Sequence, residues 1–329
     1  MLQKRTSRKT VLATALAVFM GATAVNAETL NLYTSQPEAD ATKTVEAFRK
    51  ANPDIDVQVF RSGTSDILSK LAAEFAAGAP QPDVLLIADA VSMELLKKDN
   101  RLKAYEGAKT EGLTEGSFDK DKTYFGSKLI TTGIAYNTQA KSKPESWADL
   151  GKEEYKGQIV MPSPLYSGAA AYLLSGFALN SELGWDYFEK LKANELISVR
   201  GNGAVLKSVA SGEKPYGILV DFMALNAKAK GSPVEFVFPK EGVPAVTEPV
   251  AIMATAKNVA GAEKFVDFIL SDDGQKLALE QGYLPAKESV GRPGWLPEGT
   301  KINIMSIDTL KVLGVTEADK KRFSELFGG

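Results

Sequence analysis

The chain has 329 residues, 44% of them hydrophobic and 24% charged, with neither cysteine nor histidine. That composition is typical of a soluble globular protein, and the length suits two cores better than one. The missing side chains exclude disulfides, thiol nucleophiles, zinc-type Cys/His clusters and imidazole acid–base chemistry. A balance of 39 basic against 41 acidic side chains also argues against nucleic acid or an anionic membrane as partner.

Residues 1–27 read as a secretory leader. Lys4, Arg5, Arg8 and Lys9 give a basic start, Val11–Met20 an apolar run, and Val25-Asn26-Ala27 small residues before a cut after Ala27. The apolar run falls short of the roughly 20 residues that span a bilayer. Removing the leader takes four of the 39 positive charges and leaves net −6. Without cysteine no lipid can be attached at a new N-terminus, so a protein free in the periplasm is expected.

Short β-rich runs then alternate with alanine-rich helical stretches. Thr29–Tyr33 is a predicted strand, Glu38–Asn52 a helix, Asp56–Arg61 a strand and Ser65–Ala77 a helix with Ile67, Leu68, Leu71 and Phe75 on one face. Asp83–Ala88 is an almost unbroken apolar strand, which suits burial on both faces. This β-α-β-α-β order implies parallel pairing with right-handed crossovers. Farther on, Gly133–Asn137, Gln158–Met161 and Tyr216–Val220 read as strands, and the segment Val234–Phe238 leads through Pro239–Gly242 to another apolar strand, Pro249–Ala254. Helices are predicted near Ala169–Leu179, Trp185–Ala193, Val205–Ser211, Glu263–Ser271 and Gly274–Gln281, with a C-terminal pair near Ile307–Leu310 and Glu317–Leu326. The expected architecture is two α/β lobes, 28–132 with 247–329 and 133–246, each a mostly parallel sheet flanked by helices. Hinge strands near Thr132–Asn137 and Phe238–Thr247 would cross between them. In open α/β sheets ligands bind beyond the carboxyl ends of the strands, so facing lobes make a cleft.

Several segments carry a resemblance. The opening YTSQPEADATKTVEAFRKANPDIDVQVFRSGT, the passage LAAEFAAGAPQPDVLLIADA, WADL at Trp147–Leu150, YKGQIVMPSP at Tyr155–Pro164 and GAEKFVDFILSDDGQKLALEQGYLP at Gly261–Pro285 resemble the solute-binding proteins of ABC importers. Nearly all the chain after the leader is covered. The likeness is greatest to the branch holding ferric-iron, phosphonate and sugar-phosphate binders. It implies a type II periplasmic-binding fold, a monomer without enzymatic activity, a small-molecule ligand, and permease subunits in the inner membrane as partners.

Candidate ligand contacts lie where a strand gives way to a helix, because helix N-termini offer unpaired N–H groups and partial positive charge. Ser35, Thr64, Ser167 and Gly168 are the expected phosphate contacts, with Gly203 beside them. Each hydroxyl has an ordinary alternative as a helix cap, and Ser35 with Glu38 makes a capping-box pattern. Lys207, read as lying early in its helix, suggests a nearby anion. Asp89 and Asp221 close apolar strands and are expected at the cleft, Asp221 to pair with a ligand ammonium or accept from a sugar hydroxyl, while Asp89 has an equal alternative as the cap of a helix over Val91–Lys98. Glu248 and Phe222 complete the set, and Tyr33 and Tyr166 are further aromatic candidates. No cofactor or metal is expected.

The favoured cargo is a small phosphorus-containing anion, 2-aminoethylphosphonate or a sugar or polyol phosphate. Ferric iron is the rival that the resemblance supplies, but its binders in this family typically place adjacent tyrosines where this chain has Asp221-Phe222-Met223. A polyamine would engage Asp89, Asp221 and Glu248 and leave the Ser/Gly junctions without a task. No motif suggests an envelope hydrolase.

Overall fold

The computed structural model describes residues 28–114 and 116–328. The expected leader lies outside them. The first unit of the chain runs β1 (Glu28–Thr34), α1 (Glu38–Ala51), β2 (Ile55–Arg61), α2 (Thr64–Ala76), β3 (Val84–Leu86), α3 (Ala90–Lys98), β4 (Leu102–Lys103) and β5 (Phe125–Asn137). The middle runs β6 (Ile159–Pro162), α4 (Gly168–Ala178), α5 (Gly184–Ala193), β7 (Ile197–Val199), α6 (Asn202–Ser211), β8 (Tyr216–Val220), α7 (Asp221–Ala229) and β9 (Val234–Val237). The return comprises β10 (Ala245–Met253), α8 (Val259–Leu270), α9 (Asp272–Glu280), β11 (Leu284–Pro285) and α10 (Thr309–Phe327).

Local sequence explains the regular elements. In α1, Ala41, Thr44, Val45 and Phe48 are buried, spaced to form one helical face. Its acidic first turn, Glu38 and Asp40, and basic last turn, Arg49 and Lys50, both suit the helix dipole. All three residues of β3 and all five of β8 are buried, as continuous apolar strands demand.

The strands form one curled mixed sheet in the order β2-β1-β3-β10-β5-β8-β6-β7. β1 is parallel to β2 and β3, and β6 is parallel to β7 and β8. The long strand β5 joins two halves: it pairs antiparallel with β10 through Thr131 and with β8 from Thr132 onward. The mostly parallel sheets expected from the sequence are therefore interrupted at the centre. A chain that crosses between lobes and returns must run in both directions there, so β5 and β10 reverse the local sense.

Each lobe has its own core. One gathers Leu30, Leu32, Phe48, Phe125 and Phe265, the other Trp147, Phe177, Phe188, Tyr216 and Phe323. The last of these residues belongs to the C-terminal segment that the sequence reading groups with the first lobe. The two short C-terminal helices are one 19-residue helix, α10. Phe323 is fully buried among the second lobe's aromatics, with Leu326 and Phe327 beside it. Upstream, Val243 N donates to Asn303 O and Met305 N to Val243 O. The chain from Ile302 thus packs on the second lobe, while α10 also lies against α3 of the first, with Val312 and Leu313 facing Val91 and Leu95 across a small cavity.

Candidate ligand-binding cleft

Five helices begin on one cleft of about 420 Å³ between the lobes. Its lining includes the start of α1 at Pro37 and Glu38, of α2 at Gly63 and Thr64, and of α4 at Ser167 and Gly168. It also takes in the start of α6 at Asn202 and Gly203, and of α7 at Phe222. The helices α1, α2 and α6 begin without a side-chain cap, their cap positions being Pro37, Gly63 and Gly201. Asp40 N, Ser65 N and Ala204 N turn to the backbone oxygens of Pro37, Tyr166 and Gly201, and the remaining first-turn N–H groups are left for water or a ligand. Only α4 is capped among these three and itself, by Ser167 Oγ accepting from Ala170 N at 3.3 Å. A larger hollow of about 610 Å³ near Leu284, Pro285 and Arg292 has no α-helix starting on it.

Ser35, Thr64, Ser167, Gly168, Gly203, Phe222 and Glu248 all line this cleft. Ser35 does so for a reason other than capping. Its Oγ accepts from Ala88 N at 2.9 Å, which ties the loop after β1 to the loop after β3 and leaves the hydroxyl hydrogen for a ligand. Gly203 has no atom within 4 Å of where a side chain would begin, so nothing there requires glycine. Lys207 is exposed in the second turn of α6 and is not part of the lining. The inference from Lys207 to a nearby anion therefore fails, since the dipole effect is confined to the first turn.

Two arginines take its place. Arg61 Nε donates to Gln36 O at 2.7 Å and Nη1 to Tyr166 Oη at 3.3 Å. Arg200 stands over the Tyr166 ring at 4.7 Å and pairs with Asp66 at 3.0 Å. Both line the cleft. A signal for them exists in the sequence, since each cation immediately precedes a Gly-containing strand-to-helix junction, but residue type alone does not say which way it points.

Asp89 and Asp221 are not among the lining residues. Asp89 caps α3, with Oδ1 accepting from Ser92 N, and is 4% exposed beside a separate cavity of about 70 Å³ under α10. Burial raises its pKa, against the lowering by Ser92. Asp221 is 1% exposed, and its Oδ2 accepts from Thr131 N and Oγ1 while Oδ1 accepts from Phe222 N. It fastens α7 to the hinge strand, so an ammonium cannot reach it from the cleft without breaking these bonds. Tyr33 is also turned away, its hydroxyl donating to Glu74 at 2.6 Å within the first lobe.

The floor is a buried network. Glu248 on β10 pairs with Lys128 on β5 at 2.8 Å, and the two are 2% and 3% exposed. Gln36 Nε2 donates to the same oxygen, Oε2, at 3.2 Å. Lys128 Nζ lies 3.8 Å from the centre of the Tyr283 ring, which packs on Phe222 at 4.0 Å. Tyr283 in turn donates to Asp40 at 2.8 Å. Burial raises the Glu248 pKa, with Lys128 and Gln36 opposing the shift.

The lobes touch across the mouth. Ser65 N donates to Tyr166 O at 3.4 Å, alongside the Arg61–Tyr166 and Arg200–Asp66 contacts. A side chain at Gly63 would meet Tyr166 O at 2.5 Å, and one at Gly168 would meet Asp89 Oδ2 at 2.3 Å and Ala88 O at 2.6 Å. These two glycines permit the approach seen here.

The Asp221 carboxyl yields a pH expectation. Burial pushes it up to about 6, hydrogen bonds from Thr131 and Phe222 opposing. The unfolded value is about 3.9, so the native state holds the extra proton between the two. Its contribution is therefore full below about pH 4 and is lost as pH rises through about 6, by about 3 kcal/mol at most. Urea unfolding at pH 4.5 and 7.5 should show the wild type losing ground to Asp221→Asn at the higher pH, with ligand affinity changed less than about twofold. A large affinity loss would return Asp221 to the ligand site.

The sequence profile of the bacterial extracellular solute-binding proteins matches residues 79–312. The chain belongs to this family, the solute-binding proteins of ABC transporters. This binding protein is 26% identical over 277 residues to a probable ABC transporter periplasmic-binding protein of Sinorhizobium fredii, covering 79% of the chain and 75% of that relative. It is 32% identical over 177 residues to a spermidine/putrescine-binding periplasmic protein of Haemophilus influenzae, covering 50% and 49%. Among solved structures it is similar to the periplasmic binding protein AfuA of Actinobacillus pleuropneumoniae with exogenous fructose-6-phosphate bound. There the TM-score is 0.84 at 22% identity, over 91% of this chain and 98% of that one. A ferric binding protein from Campylobacter jejuni gives a TM-score of 0.78 at 20% identity, over 90% and 99%. At these identities the structural likeness establishes the type II fold, and the family establishes a substrate-binding component of an importer.

Proposed function

We propose that this binding protein captures a small phosphorus-containing anion, 2-aminoethylphosphonate or a sugar or polyol phosphate, in the periplasm and delivers it to inner-membrane permease subunits. The observation that carries the reading is the convergence of three uncapped helix starts, the Ser167-capped start of α4, Arg61 and Arg200 on one cleft. Oriented N–H groups and guanidinium forks are the donors that phosphate and phosphonate oxygens match. Ser35, Thr64, Ser167 and Gly168 are the proposed contacts, with Arg61 and Arg200 added to them. Glu248 Oε2 holds Lys128 and Gln36, leaving Oε1 to accept from the other end of the ligand.

Closure about β5 and the segment leading into β10 would follow from the division of the site between lobes. A ligand that touches both lobes binds the closed state better and shifts the population toward it. The fructose-6-phosphate named with AfuA supports a phosphate ester as cargo. A polyamine, suggested by the spermidine/putrescine-binding relatives, is disfavoured because two guanidinium groups line the cleft whereas Asp89 and Asp221 do not. Ferric iron finds Phe222 rather than a hydroxylated ring at the start of α7.

A thermal-shift titration tests this directly, since ligand binding to the folded state alone raises the melting temperature. A rise with sorbitol 6-phosphate or 2-aminoethylphosphonate, and none with ferric citrate or spermidine, is expected. A rise only with spermidine or ferric citrate would sink the anion reading while leaving the importer role in place.

A further inference from the structure

Resting on the anion reading above, the geometry points to a charge-based selector at the cleft floor: Lys128 neutralises Glu248, so that the site accepts a neutral, hydroxylated ligand tail and disfavours an ammonium tail. Glu248 lines the cleft, whereas Lys128 reaches it from behind. The two sit on neighbouring hinge strands, almost wholly buried and 2.8 Å apart. Were Glu248 alone, it would be the natural partner of a ligand cation. Lys128 is already there, held over the Tyr283 ring at 3.8 Å.

The charges set the preference. A ligand ammonium entering this floor leaves water for a place whose carboxylate is already spent, and it meets a second cation behind that carboxylate. Desolvating a charge without a counter-charge is costly. A hydroxyl loses far less on entry and can donate to Glu248 Oε1. With Lys128 beside it, Glu248 thus offers an acceptor for a hydroxyl hydrogen without net negative charge at the floor. Of the other carboxylates near the cleft, Glu38 is exposed to water at the start of α1, and Asp221 is fully engaged with Thr131 and Phe222, so neither gives an ammonium a buried partner at the floor.

The test compares 2-hydroxyethylphosphonate with 2-aminoethylphosphonate, which differ only in the tail, by calorimetric titration of the full folded protein. Sorbitol 6-phosphate serves as a longer hydroxylated probe. The wild type should prefer the hydroxylated phosphonate at least about tenfold. Lys128→Met should move that ratio at least about tenfold toward the aminophosphonate, and Lys128→Arg should leave it near the wild-type value. Removing Lys128 strands a buried carboxylate, and the variant risks not folding. Glu248→Gln then decides the matter. It leaves a bare cation at the floor and should move the ratio of the two affinities at least about a further tenfold against the aminophosphonate. A wild type that prefers the aminophosphonate, or a Glu248→Gln variant with the wild-type ratio, overturns the selector alone. If none of the three phosphorus compounds is bound, the anion reading itself fails and takes the selector with it.

Discussion

Replacing Gly168 with valine should lower ligand affinity at least about 100-fold, which corresponds to roughly 2.7 kcal/mol, while the unliganded protein keeps its melting temperature within a few degrees. Gly168 opens α4 in the second lobe, yet the atoms its side chain would strike belong to the first. They are Asp89 Oδ2 at 2.3 Å, Ala88 O at 2.6 Å and Thr64 Oγ1 at 2.9 Å. Ala88 O is backbone, so no change of rotamer relieves the overlap. With the lobes apart these atoms are elsewhere, and a branched residue at a helix start costs little. The substitution therefore acts on closure and spares each core. Calorimetric titration and a melting curve check it together. Unchanged affinity would mean that the bound form does not bring Gly168 and Ala88 together, and lost stability would assign the glycine to folding.

Arg61→Ala should weaken phosphate or phosphonate binding about 30-fold, near 2 kcal/mol. Its guanidinium lines the cleft while Nε fixes the Gln36 carbonyl just before α1. The variant thus loses both a charge and the support of a loop that carries N–H donors. Arg200→Ala should cost less, because its side chain is 73% exposed and already pairs with Asp66, and such surface pairs are worth little. Raising the salt concentration should shrink both effects. An Arg61→Ala variant that binds as well as the wild type would show that helix N–H groups alone hold the anion. In that case the Arg61–Tyr166 contact would be only an interlobe tether.

Much of the fold and part of the cleft are legible in the residues. Leu30, Leu32 and the Val84–Leu86 run announce buried strands by apolar pattern alone, and the face of Ala41, Val45 and Phe48 announces α1. Ser35, Thr64, Ser167 and Gly168 are legible for a related reason, because a strand ending in hydroxyl and glycine before a helix marks a local backbone geometry. The resemblance of GAEKFVDFILSDDGQKLALEQGYLP and its companions supplied the two-lobed type II fold, which periodicity does not.

What pattern cannot convey is direction and partnership across long separations. Asp221 looks like a cleft carboxylate until Thr131, 90 positions earlier, is found to occupy it. Asp89 reads equally as a cleft carboxylate and as a helix cap, and it caps α3. The pairing of Lys128 with Glu248 joins residues 120 apart, and nothing local to either one hints at it. The same holds for the C-terminal helix, whose pattern specifies a buried face but not that α4 of one lobe and α3 of the other would share it. Sequence alone determined the kinds of elements, the absence of cysteine and histidine chemistry, and the junctions where an anion could be held. Tertiary structure decided which charges face the cleft and which are spent on each other, because burial and hydrogen bonding are properties of neighbours that the chain meets only after folding.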